Sequence, residues 1–263
     1  MDVRLDGRTA LVTGGSSGLG RAMALEFARS GASVAIVARN AETIDEAVRL
    51  IEAEAAPGSK VAGVSCDVSD GAALPAAHSA AVAAVGAPID ILVNNAGTSA
   101  GRPFEASSDD DWQHDLDLKF LAAVRLIRLC LPHMKEQRWG RIINVLNIGA
   151  KAPGARSTPT SVSRAAGMAL TKSLASELAP HNILVNGINT GVLVTSQWHR
   201  LHQERAPELT FEAFLERQGK AVPLGRMGDP AEFANLACFL ASDKASYITG
   251  TSTNVDGGLS PVI

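Results

Sequence analysis

Residues 9–20 read TALVTGGSSGLG, from Thr9 to Gly20. Thr9–Thr13 is a short run of apolar and β-branched residues that predicts a buried strand, and helical periodicity begins at about residue 20. Between them lie glycines and serines. A glycine-rich turn joining the end of a strand to the start of a helix lets the backbone approach a pyrophosphate, whose charge is favoured by free N–H groups and the helix dipole. Gly14, Ser16, Ser17, Gly18, Leu19 and Gly20 are therefore the expected phosphate-cradling residues.

The same alternation continues along the chain. Strand-like runs occupy 9–13, 33–38, 61–65, 89–93, 141–146, 183–188 and 252–255. Helical patterns lie at about 20–30, 41–55, 71–85, 109–136, 159–179 and 230–241. Strand, helix, strand at this spacing predicts an α/β protein, a Rossmann-like doubly wound parallel sheet with helices on both faces. The expected sheet has about seven strands in the order 3-2-1-4-5-6-7, formed by a single dinucleotide-binding domain over residues 1–263. Residues 195–228 break the rhythm, being too long for a simple connection and interrupted at Pro207 and Pro223. They follow the sixth strand at the carboxyl edge, where such sheets bind ligands, and are expected to form a substrate lid with Trp198, Leu201, Phe211, Phe214 and Leu215 on its underside.

Bulk properties narrow the function classes. The chain has 263 residues, 46% hydrophobic and 19% charged, with net charge −3 and its charges interspersed. No basic stripe suggests nucleic acid or an anionic membrane surface. Cys66, Cys130 and Cys238 lie far apart without a CxxC pattern, so buried free thiols are expected rather than zinc or disulfides. Residues 79–93 form the most apolar run but are broken by Gly86, Pro88 and Asp90. With no signal-peptide pattern at the N-terminus, a cytoplasmic protein with a small-molecule substrate is the expectation.

The second strand ends VAIVARN, placing Arg39 where a binder of NAD is expected to carry an acid for the ribose 2′-hydroxyl. A guanidinium suits a 2′-phosphate instead, which favours NADP(H) over NAD(H). A solvent-facing arginine is the alternative.

TGGSSGLG, CDVSD (66–70), NNAG (94–97), VPLGRMGDPAE (222–232) and YITGTSTNVDGG (247–258) occur in the order and spacing of the short-chain dehydrogenase/reductases. Over essentially its whole length the chain resembles the 3-oxoacyl-carrier-protein reductase-like branch of that family. The resemblance implies that Asp67 and Val68 flank the adenine, that Asn94 and Gly97 line the cofactor, and that Thr195 meets its carboxamide. It also implies a homotetramer.

The family carries an asparagine, a serine, a tyrosine and a lysine at its active site, and on this chain those positions fall on Lys119, Asn147, Thr160 and Arg164. No register shift restores the tyrosine, because the only Tyr is Tyr247, inside YITG. Thr160 and Arg164 are four apart and share a helix face. The family's phenol has a pKa near 10, whereas an aliphatic hydroxyl does not titrate in the usual range. Arg164 can hold the ribose hydroxyls but does not pass protons as a lysine can. Asn147 can donate an N–H to a carbonyl oxygen.

A lysine ammonium ordinarily titrates close to the missing phenol, which makes Lys119 a candidate substitute acid. The other reading has it facing solvent or bracing a carboxylate such as Asp115 at i−4. Lys151, Arg102 and Arg156 read as solvated charges in flanking loops. His199 and His202 have a spacing that could bind metal, but without a third ligand they read as a polar helix face. Thr158 and Pro159 read as the N-cap and first residue of a helix.

Three functions remain open at this level. The first is an NADP(H)-linked oxidoreductase with altered acid catalysis. The others are a lyase, aldol-type enzyme or isomerase on the same fold, with Lys119 as base or nucleophile, and a catalytically silent NADP-binding subunit or sensor.

Overall fold

The computed structural model describes residues 2–263. Seven parallel strands form one sheet in the order β3-β2-β1-β4-β5-β6-β7. They are β1 (Thr9–Thr13), β2 (Ser33–Ala38), β3 (Val61–Ser65), β4 (Ile91–Asn94), β5 (Gly140–Asn147), β6 (Ile183–Thr190) and β7 (Ser252–Val255). The order reverses between β1 and β4, which pair directly through Ala10–Ile91, Leu11–Leu92 and Val12–Val93. This is the expected Rossmann-like topology, whose switch point opens a crevice at the carboxyl ends of the strands.

Strand side chains alternate between two cores. Ala10 and Val12 pack with Met23, Phe27, Phe233 and Ala237 on one face, from α1 (Gly18–Arg29) and α9 (Pro230–Ala241). Leu11 packs with Leu74, Ala81, Leu126 and Cys130 on the other, from α3 (Leu74–Val85) and α5 (Ala122–Glu136). Burial on both faces explains why these strands read as nearly continuous apolar runs. All three cysteines are buried and free.

The remaining helices are α2 (Ala41–Glu52), α4 (Asp109–Leu116), α6 (Thr160–Leu178), α7 (Ser196–Arg205) and α8 (Phe211–Gly219). The fourth strand begins at Ile91 rather than residue 89, and Asp90 just before it accepts the Thr9 N–H on its carboxylate at 2.9 Å. The helical pattern at 109–136 is not one α-helix. Ser108 and Asp111 cap its start reciprocally, and one π-helical turn at Asp117–Leu121 separates α4 from α5.

The Thr158 cap reading fails. Helix α6 begins at Thr160 with Pro159 at the N-cap position, where no side chain caps it. Thr158 pairs instead through its backbone with Arg102, whose N–H donates to Thr158 O at 3.1 Å. A residue before proline is pushed towards extended conformations, which suits bridge pairing better than capping.

Residues 195–228 hold α7 and α8, packed by aromatic contacts. Trp198 and Phe214 lie 6.1 Å apart between ring centroids, and His199 stacks on Phe211 at 3.9 Å. His202 is in hydrogen-bond contact with Leu209 O at 2.8 Å. These histidines therefore join aromatic packing rather than forming a plain polar face. Among the described residues no group of three or more His, Cys, Asp or Glu is placed to hold a metal, and no helix is long and apolar enough to cross a membrane.

Candidate active site

A cavity of about 730 Å³ runs along the carboxyl edge of the sheet. At one end it is bordered by Gly14, Ser16, Ser17, Gly18, Leu19 and Gly20, all the residues expected to cradle a phosphate. Ser17 precedes α1 without a side-chain cap, and the first turn carries no acid, so its N–H groups are free to receive an anion. A Cβ on Gly20 would lie 2.1 Å from Gly14 O and 2.6 Å from Asn95 Nδ2, so only glycine fits this cradle. That close turn fits a bound pyrophosphate.

Asn95 fixes the loop. Its Nδ2 donates to Thr13 O at 2.8 Å, while its backbone N–H and that of Ala96 donate to Thr13 Oγ1 at 2.9 and 3.0 Å. Asn94, expected to line the cavity, does not border it. Its side chain is buried and donates from Nδ2 to Asn144 Oδ1 at 2.9 Å. Neighbouring residues leaving a strand face opposite sides, so only one of the two asparagines can reach the loop. Residue type alone does not tell which.

Arg39, Asp67, Val68, Gly97 and Thr195 all border the cavity. Arg39 is exposed at its mouth, free to meet a charged group. The Asp67 carboxyl is held below its usual range, chiefly by the Ser69 hydroxyl, which donates at 2.7 Å. Gly97 gives room to a guanidinium, since a Cβ there would lie 2.5 Å from Arg164 Nη2.

At the other end of the cavity Asn147, Thr160 and Arg164 come together. Arg164 Nη1 donates to Val145 O at 2.6 Å. Burial lowers its pKa to about 10, partly countered by Asp115, which leaves it charged at neutral pH. Asn147 stands at the end of β5, and its Oδ1 is buried without a hydrogen-bond partner. A buried unpaired acceptor is costly unless a ligand completes it.

Lys119 is buried behind this wall, not on it. Its side chain is 0% exposed and pairs with Asp115 Oδ1, while Nζ donates to Thr160 Oγ1 at 2.9 Å. Lys119 braces Asp115, as one of the two readings had it, and it also reaches the Thr160 hydroxyl. Burial is the main force lowering its pKa to about 8; Asp115 raises it, and the Arg164 charge lowers it further. Asp115 Oδ2 accepts from Ser163 Oγ at 2.6 Å.

Ser163 and Asn95 are polar site residues that the sequence did not mark, and Asp115 was marked only as a carboxylate for Lys119 to brace. Lys151 is not a solvated charge, because its ammonium donates to Ser252 O. Arg102 pairs with Asp111 at 3.1 Å, and Arg156 is exposed.

The profile of the enoyl-(acyl carrier protein) reductase family matches residues 14–260. The 3-oxoacyl-[acyl-carrier-protein] reductase FabG of Thermotoga maritima is 35% identical over 257 residues, covering 98% of this chain and 99% of its own. L-Sorbose reductase from Gluconobacter frateurii, solved with NADPH and L-sorbose, superposes with TM-score 0.92 at 34% identity, covering 100% of both chains. An NADPH-bound short-chain oxidoreductase from Pseudomonas aeruginosa PAO1, described as containing an atypical catalytic center, superposes with TM-score 0.89 at 35% identity, covering 99% of each chain. The chain belongs to the short-chain dehydrogenase/reductase family, in its 3-oxoacyl-carrier-protein reductase-like branch.

Proposed function

We propose that the protein is an NADP(H)-dependent oxidoreductase that interconverts a carbonyl compound and its alcohol, with Lys119 as the proton source. The observation that carries this reading is the 2.9 Å hydrogen bond from buried Lys119 Nζ to Thr160 Oγ1, because Thr160 borders the cavity. The bound nicotinamide supplies or accepts the hydride. The chain's own residues bind, orient and move a proton.

The cradle at 14–20 holds the pyrophosphate, and Arg39 receives the 2′-phosphate that separates NADP from NAD. Asp67, Val68, Gly97 and Thr195 complete the wall around the cofactor. Arg164 holds the ribose hydroxyls in place of a lysine. Asn147 presents its amide to the substrate, with Nδ2 as a donor to the reacting oxygen. Residues 195–228 serve as the lid. The proposed assembly is a homotetramer, and the proposed location is the cytoplasm.

Losing the phenol slows this chemistry without abolishing it. General acid catalysis is worth about 10²–10⁴ in rate, while placement of the two reactants contributes roughly 7–11 kcal/mol. The test is NADPH consumption with a panel of ketones that includes α-hydroxyketones. Turnover of at least one ketone is expected; tight NADPH binding with no turnover across the panel would favour a silent subunit or a non-redox enzyme.

Cofactor choice provides a separate check. Arg39→Asp should raise the dissociation constant for NADPH at least tenfold while leaving NADH binding unchanged or improved, as read by cofactor fluorescence. Equal weakening of both cofactors would refute the role given to Arg39.

A further inference from the structure

Thr160 Oγ1 accepts two hydrogen bonds, one from Lys119 Nζ at 2.9 Å and one from the Ala100 backbone N–H at 3.0 Å. A hydroxyl has two acceptor lone pairs and one hydrogen. Both lone pairs are therefore engaged, and among the described residues no acceptor takes the hydrogen. Thr160 borders the cavity, whereas Lys119 reaches it only through Thr160.

We propose that Thr160 hands the proton to the substrate oxygen as a conduit for the Lys119 ammonium, with Asp115 and Ser163 as positioning residues. This rests on the oxidoreductase reading above. In the reducing direction a bound reduced nicotinamide would supply hydride to the carbonyl carbon, and the π electron pair would move onto oxygen. That oxygen takes the Thr160 proton as Thr160 Oγ1 takes one from Lys119 Nζ. The cofactor is oxidised, the carbonyl is reduced, and Lys119 is left as a neutral amine. Once product leaves, water in the cavity returns a proton along the same path. Thr160 ends the cycle unchanged, so the weak acidity of an aliphatic hydroxyl is no obstacle.

The surroundings keep the reservoir poised. Asp115 from α4 faces the ammonium and favours its charge; Arg164 from α6 and burial oppose it, and the balance sets its pKa at about 8. The uncharged polar groups on it or its carboxylate are the hydroxyls of Thr160 and Ser163. Reduction needs the ammonium, so its rate is expected to hold level below about pH 8 and fall as pH rises through that value.

The experiment has two arms. The first needs no substrate and is an NMR pH titration of ¹⁵N-lysine-labelled wild type, Asp115→Asn and Thr160→Val. Lys119 is expected to titrate near 8 in wild type, lower in Thr160→Val and lower still in Asp115→Asn. A Lys119 that titrates like a surface lysine, or is indifferent to both substitutions, overturns the relay.

The second arm measures kcat against pH for a ketone from the panel. Thr160→Val and Lys119→Met should each lose about 10²–10⁴ in kcat, and the double variant no more than either single. Thr160→Ser should recover turnover to within about tenfold of wild type, and Asp115→Asn should move the falling limb to lower pH. Thermal melts confirm that each variant is folded. Wild-type-like turnover by folded Thr160→Val, or multiplicative losses in the double, overturns the relay while leaving the oxidoreductase reading intact. Wild type that turns over no ketone overturns both.

Discussion

Replacing Asp115 by Ala is expected to destabilise the protein by about 3–5 kcal/mol at pH 6, the usual cost of breaking a buried ion pair from one side. Asp115 is 2% exposed and its partner Lys119 0% exposed, so neither water nor another carboxylate is at hand to replace the lost charge. The substitution leaves an ammonium facing only Arg164 and the hydroxyl of Thr160. The chain's escape is to release the proton. Lys119 already has a folded-state pKa near 8, below the ordinary lysine value of 10.5, and Asp115 is what holds it up.

Without that carboxylate the folded-state value drops further while the unfolded value stays put. Wherever the unfolded chain binds more protons than the folded one, stability rises with pH. The variant enters that regime at lower pH than wild type, so its deficit is widest in mild acid and shrinks as pH is raised towards 8. Above that point both folded states hold a neutral amine, and the difference levels off. Urea denaturation at pH 6 and pH 8.5 reads this directly. Lys119→Met in the Asp115→Ala background should restore much of the loss, because the charge needing a partner is gone. A deficit that is independent of pH, or that adds to that of Lys119→Met, would sink the account.

The same pair shows where sequence reading stops. Strand and helix alternation is set by local apolar periodicity, which is why β1, β2, β3 and β7 match the strand expectations residue for residue. The glycine cradle was legible because its geometry excludes other residue types. The position of Lys119 relative to the cavity was not. It depends on the π-helical turn at Asp117–Leu121 and on how that turn packs against α6, which joins residues 41 positions apart in the chain. Asp115 and Ser163 are 48 apart, and neither belongs to a recognisable motif.

Capping failed for a different reason. Thr158-Pro159 has the composition of a helix start, but a tertiary pairing with Arg102 takes Thr158's backbone first. Asn94 and Asn95 differ only in which side of the sheet each faces, so a motif read as letters cannot separate the one that pins the loop from the one that braces the interior.

The cradle supports the second large expectation. Gly20→Ala should weaken NADPH binding at least 100-fold, about 2.7 kcal/mol. A Cβ at that position would lie 2.1 Å from Gly14 O and 2.7 Å from Gly14 C, both backbone atoms with no rotamer to escape into. The loop must therefore move, and Asn95 Nδ2, 2.6 Å from the added carbon, is displaced with it. That amide is what ties the loop to Thr13 O at 2.8 Å, so the pyrophosphate site loses its shape and its anchor together. Gly154→Ala is the matched control, since nothing lies within 4 Å of a Cβ there. The readout is the rise in melting temperature on adding NADPH, which falls as affinity for the folded state falls. Wild type and Gly154→Ala should show the same rise, and Gly20→Ala should show almost none while unfolding cooperatively without cofactor. An undiminished rise in Gly20→Ala would mean that the cofactor does not rest on this turn, and the roles assigned to residues 14–20 would have to be withdrawn.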